Sequence, residues 1–209
     1  MDRFITPPTR LVLQSIVIQA GWPIWLLILV SIAGLAIVIE RSLSLQTRRI
    51  APPELTNQVI QMVRAQADHP EAIEKLRKSS PLGQILAALL SHRHLPASER
   101  RVVVEDTGRD VAFQLERYLP ALATVATIAP LLGLFGTVIG MIEIFAAYRP
   151  DGSDPTELAR GISIALYNTG FGILIAIPAV IAHRHFKTRV QALLLKMEQS
   201  ARQVAASLR

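Results

Sequence analysis

The chain has 209 residues, 51% of them hydrophobic, with 22 Lys/Arg against 16 Asp/Glu and no cysteine. The missing cysteines exclude a disulfide framework, a thiolate metal site and a cysteine nucleophile. The net charge of +6 is unevenly distributed along the chain, and that distribution sets a membrane topology and argues against nucleic acid as a partner.

Residues 1–21 form an N-terminal segment, followed by the first apolar run, WPIWLLILVSIAGLAIVI, from Trp22 to Ile39. Trp22 and Trp25 stand at its start, as interfacial aromatics do. The run exceeds the roughly 7–15 apolar residues of a signal peptide, and no small-x-small cleavage site precedes Glu40 and Arg41, so a retained transmembrane helix is expected.

Residues 40–118 read as a helical, water-exposed insert. Leu55, Val59, Val63, Ile73 and Leu76 punctuate a polar segment from Glu54 to Lys78, which Pro81-Leu82-Gly83 is expected to break. A short apolar helix from Gln84 to Ser91 and a loop at His92-Arg93-His94-Leu95-Pro96 follow. Ser98 is a plausible N-cap for a long helix that starts at Glu99 and continues into the next span. Between Val111 and Ala129, Pro120 is the only turn signal, and it predicts a kink near the membrane surface.

The second span covers residues 119–142 and the third 162–182, each long enough for the ~20 residues that a bilayer core demands. Neither contains Asp, Glu, His, Lys or Arg, yet they carry Thr124, Thr127, Thr137, Asn168 and Thr169, together with Pro130 and Pro178. Polar groups at that depth must find partners in other helices or in water, so the pair of spans is expected to line something. Gly133, Gly136 and Gly140 place small residues on one face and predict close helix packing.

Between these spans, residues 143–161 form a short loop with a turn at Arg149-Pro150-Asp151-Gly152-Ser153 and a helix start at Asp154-Pro155-Thr156-Glu157. Residues 183–209 continue the third helix. Phe186, Val190, Leu193, Met197, Ala201, Val204 and Leu208 recur along it as a stripe, predicted to seat against copies of the chain, with residues 99–118 as the alternative.

Residues 40–118 hold twelve Lys/Arg and ten Asp/Glu; the tail after Ala182 holds six against one acid, whereas residues 143–160 hold two against four. This asymmetry places residues 40–118 and 183–209 in the cytoplasm and the N-terminus outside. The paired histidines His92/His94 and His183/His185 stand beside arginines without a carboxylate cluster, so no metal is expected. Ser31 and Ser163 lack a base nearby in sequence, and no phosphate-cradling loop is present, so an enzyme is not expected. A proton-driven machine needs a titratable group within the membrane. These spans supply none, so either no proton passes or a partner provides the carboxylate.

The stretch Ala129-Pro130-Leu131-Leu132-Gly133-Leu134-Phe135-Gly136-Thr137-Val138-Ile139-Gly140-Met141, with Gly161-Ile162-Ser163, Ala165-Leu166, Thr169, Gly172 and Ala176-Ile177-Pro178-Ala179, resembles the MotA/TolQ/ExbB proton-channel family, ExbB and TolQ above all. The resemblance implies an all-α, three-span inner-membrane protein that assembles as a homopentamer without cofactor. It implies a pore, lined by the second and third spans, that holds an ExbD-like single-span partner whose aspartate carries the proton. Thr137 and Thr169 match the family's pore threonines, with Asn168 beside them, while Pro130, Gly133, Gly136, Gly140 and Pro178 shape the helices. The work would reach a TonB-like protein or, in a TolQ-like role, the Tol-Pal system; a non-conducting scaffold is the other reading. A flagellar-stator role is less expected, because MotA-type chains usually have a fourth span and a larger cytoplasmic domain. The chain also departs from its relatives at Ile164, where many carry glutamate; Glu143 at the span edge is a weak substitute.

Overall fold

The computed structural model describes residues 21–147 and 155–208. Its regular elements there are helices: α1 (Pro23–Ser44), α2 (Thr47–Ile50), α3 (Leu55–Arg64), α4 (Pro70–Ser79), α5 (Pro81–Ser91), α6 (Ala97–Glu116), α7 (Leu119–Ala147) and α8 (Pro155–Ser207). Three runs, in Pro23–Ser44, Ala97–Ala146 and Gly161–Ser207, are long and apolar enough to cross a membrane. The chain is thus an all-helical, multi-pass membrane protein. It divides into two compact units, residues 1–38 with 121–183 and residues 39–120 with 184–209.

In the first unit, α1 buries Ile24, Leu27 and Gly34, and Gly34 faces α7. A Cβ at Gly34 would lie 3.0 Å from Val125 Cγ1, and Trp22 meets Phe135 edge-on at 5.9 Å between ring centroids. The outer faces carry Leu29, Ile32, Leu35, Leu131, Leu134, Leu174 and Ile177, all exposed. Such a surface fits hydrocarbon or neighbouring subunits, not water. α7 and α8 run through Pro130 and Pro178 without interruption, although each proline removes one helical amide donor.

In the second unit, α5 is apolar on nearly every side and supplies the core with Leu82, Ile85, Leu86, Leu89 and Leu90, all buried. The break expected at Pro81-Leu82-Gly83 falls earlier. Ser80 caps α5 by accepting the Gly83 amide at 3.1 Å, and Pro81 takes the first helical position, where its missing amide costs nothing. Gly83 is obligatory, because a Cβ there would overlap the carbonyl of Leu76.

The segment from Glu54 to Lys78 is two helices, not one. Gln66 adopts φ 53°, and the amides of Gln66 and Ala67 bond the carbonyls of Val63 and Met62 at 3.1 and 3.0 Å. That is a Schellman ending with glutamine where glycine is usual, a feature that side-chain patterning does not reveal. On α4, Glu74 bonds Arg77 and Lys78, which hold its carboxyl below the usual range.

α6 starts at Ala97 with Pro96 at its cap, two residues ahead of the expected Ser98. It stops at Glu116, so helix does not run unbroken into the second span; Arg117 and Tyr118 form a turn just before Pro120. The freed carbonyl of Leu115 accepts a 3.0 Å bond from the Arg41 guanidinium. Arg41 is buried, bonds Glu40, and lies 4.9 Å over the Tyr118 ring.

The stripe on the last part of α8 is covered within the chain. Phe186, Val190, Leu193, Met197, Ala201 and Val204 are buried in the second unit, and Arg189 reaches Thr47 Oγ1 at 3.2 Å. The stripe is therefore packed inside one chain, in the unit that residues 184–209 share with the insert between the first two spans. The turn Arg149–Ser153 and the Asp154 cap lie outside the described residues, although α8 does begin at Pro155.

Candidate functional site: a threonine pair on a small-residue seam

One face of α7 presents Leu122, Ala126, Ala129, Gly133, Gly136 and Gly140, and one face of α8 presents Ala165, Asn168, Gly172, Ala176 and Ala179, all buried. Each set recurs at steps of three and four, the spacing of a single helix face. A Cβ at Gly133 would fall 2.7 Å from the Asn168 carbonyl oxygen, one at Gly172 would fall 2.6 Å from the Ala129 carbonyl oxygen, and one at Gly136 would fall 2.7 Å from Asn168 Cβ. Side chains are thus excluded at three points where the helices meet. Gly140 is different, since its added Cβ would stand 3.5 Å from Ala165, an ordinary contact.

This close approach brings the two threonines together. Thr137 Oγ1 and Thr169 Oγ1 lie 2.5 Å apart. Thr137 donates to the Ala165 carbonyl at 2.9 Å with Gly133 O at 3.2 Å, and Thr169 reaches the Gly133 carbonyl at 3.3 Å. Two hydroxyls carry two protons and four lone pairs. Both protons are engaged by backbone carbonyls and by the mutual bond, so what remains for a third group is acceptor capacity. The pair is part-buried. Asn168, one residue away, is fully buried with its side chain against Gly136.

The other polar residues do not join this cluster. Thr127 bonds back to Ala123 and Thr124 carbonyls on its own helix, the usual fate of a lone threonine. Ser163 bonds the Ala159 carbonyl at 2.9 Å. Glu143 is exposed on α7, and the side chain of Ile164 lies outside the described residues. His92 and His94 stack at 6.4 Å, with His92 Nδ1 2.9 Å from the Ala88 carbonyl at the end of α5. Among the described residues no group of three or more His, Asp or Glu could hold a metal ion. Reading the sequence for glycines in the second span missed Ala129 on the same helix and Ala165 and Gly172, the other half of the seam; the recurrence of small residues in both spans was the available signal.

The sequence pattern of the MotA/TolQ/ExbB proton channel family matches residues 77–199, more than half of the chain. An ExbB-like biopolymer transport protein of Synechocystis is 30% identical over 190 residues, 87% of this chain and 72% of that protein. The biopolymer transport protein exbB1 of Vibrio cholerae is 33% identical over 117 residues, 55% of this chain and 51% of its own length. The Tol-Pal system protein TolQ of Haemophilus influenzae is 42% identical over 80 residues, 38% of this chain and 35% of its own. The matched region contains both seam helices and the threonine pair, and the chain belongs to the MotA/TolQ/ExbB proton channel family.

Proposed function

We propose that this chain is the pore-lining subunit of an ExbB–ExbD-type proton-driven motor in the bacterial inner membrane, energising TonB-dependent transport at the outer membrane. The observation that carries the reading is the Thr137–Thr169 pair on two spans that contain no Asp, Glu, His, Lys or Arg. A channel built this way needs a carboxylate from outside the chain, and an ExbD-like single-span helix with one aspartate supplies it. The subunits form a homopentamer around that partner. Residues 40–118 and 183–209 lie in the cytoplasm, and the N-terminus lies in the periplasm, as the charge asymmetry favours.

The chemistry of the pair suggests its part in the cycle. With both hydroxyl protons engaged within the subunit, the free lone pairs favour a protonated aspartic acid, which donates to them, over the carboxylate. An ionised aspartate binds only after a threonine hydroxyl turns away from its carbonyl. Protonation and release of the partner are thereby coupled to position in the ring, and each proton crossing yields about 2.3 kcal/mol per 100 mV.

The TolQ relative supports a second reading, a role in the Tol-Pal envelope system. A deletion strain separates the two. Failure to grow on scarce iron-siderophore complexes marks the TonB-dependent role; detergent sensitivity with normal siderophore growth marks the Tol-Pal role. A non-conducting scaffold would be indifferent to a protonophore.

A further inference from the structure

We propose that Arg48, Arg49 and Arg189 form a binding site for the phosphate of an anionic phospholipid, in the leaflet facing residues 40–118. All three are exposed. They come from α2 and from α8, more than a hundred residues apart, and the Arg189 bond to Thr47 Oγ1 at 3.2 Å ties the two elements together. A hydroxyl is a neutral acceptor, so this bond gathers three like charges without offsetting any.

No ion pair among the described residues includes Arg48, Arg49 or Arg189. Many of the other cations of this unit are matched. Arg77 and Lys78 share Glu74, and Arg93 pairs with Asp68, Arg101 with Glu105, Arg109 with Asp106 and Arg202 with Glu198. Arg41, nearest the end of the first apolar run, is paired with Glu40, whereas Arg48, Arg49 and Arg189, farther out, are left without a carboxylate.

Depth identifies the ligand. Arg189 follows Ala182 by seven residues of continuous helix, about 10 Å of rise. Thr47 follows Ile39 by eight residues, mostly helical, about 12 Å. Both routes end about 10–12 Å beyond the apolar runs, and an arginine side chain reaches several ångströms back, to the level of the lipid headgroups. Leu43, one turn before Thr47, is 56% exposed and offers an apolar wall for the glycerol and upper acyl region. A basic cluster at this level is what an acidic headgroup recognises.

Native mass spectrometry of the full chain in neutral detergent, titrated with phosphatidylglycerol or phosphatidylcholine, tests the site. Phosphatidylglycerol should bind the wild type at least tenfold more tightly than phosphatidylcholine. Arg48→Gln with Arg189→Gln should weaken its binding by roughly 25-fold, about fivefold per cation. Arg48→Lys with Arg189→Lys should keep most of the affinity, and Arg77→Gln should change nothing. On the wild type itself, raising salt should weaken phosphatidylglycerol binding and leave phosphatidylcholine unaffected. Equal binding of the two lipids, or an unchanged affinity in the double glutamine variant, overturns the proposal. Displacement of the lipid by millimolar inorganic phosphate also overturns it, by making the site one for soluble anions.

Discussion

Thr169 is the residue whose chemistry matters most, because its hydroxyl shares two protons with Thr137 and closes onto the Gly133 carbonyl. Thr169→Val keeps the volume and loses the hydroxyl. The subunit is expected to assemble normally while energised function falls by about 10–100-fold, the worth of one hydrogen bond to an ionisable partner. Thr169→Ser should retain most of it; a siderophore-uptake assay beside a native gel checks both. The seam glycines make a sharper structural case. Gly133→Ala and Gly136→Ala each push a methyl into Asn168 and should cost about 1–3 kcal/mol, whereas Gly140→Ala has room and should be nearly silent in thermal unfolding. Sequence alone placed all three glycines on one face. Spacing shows which residues share a face, but which glycine touches backbone depends on where the two helix axes cross, and that is set by the opposite helix.

Elements add constraints that side-chain periodicity does not contain. The junction of α6 and α7 is the clearest, since Pro120 predicted only a kink in a continuous helix, and neither the end of α6 at Glu116 nor the clamp that holds it was readable. Arg41, 74 positions away in sequence, supplies the guanidinium for the Leu115 carbonyl. Arg41→Met leaves that carbonyl buried without this donor and should destabilise the second unit by about 1.5–3 kcal/mol, read as a loss of hydrogen-exchange protection around residues 113–119. The end of α3 illustrates the opposite balance. Gln66 sits at a left-handed position that glycine adopts without strain, so Gln66→Gly should raise stability by about 1 kcal/mol in a urea titration. No hydrophobic pattern marks such a turn; it is fixed by carbonyls that need donors where α3 stops.

For the whole molecule, the apolar stripe of the C-terminal helix was legible in full, yet its partner was not. Periodicity states that a face must be buried and is silent on whether the cover is the same chain or another. The insert between the first two spans provides the cover, so Met197→Ala should loosen the second unit by about 2–5 kcal/mol in thermal unfolding. The exposed apolar faces of α1, α7 and α8 are left uncovered by the chain itself. The three spans and the threonine positions were readable because long charge-free runs and isolated hydroxyls stand out in composition; the 2.5 Å contact between them was not, since it arises from small residues on two helices acting together. The central claim is that a partner's aspartate carries protons past that pair. The direct test is proton flux into proteoliposomes holding this chain with its ExbD-like partner, beside the same complex with that aspartate changed to asparagine. The account predicts flux that disappears in the asparagine complex; equal flux in both, above that of empty liposomes, would contradict it.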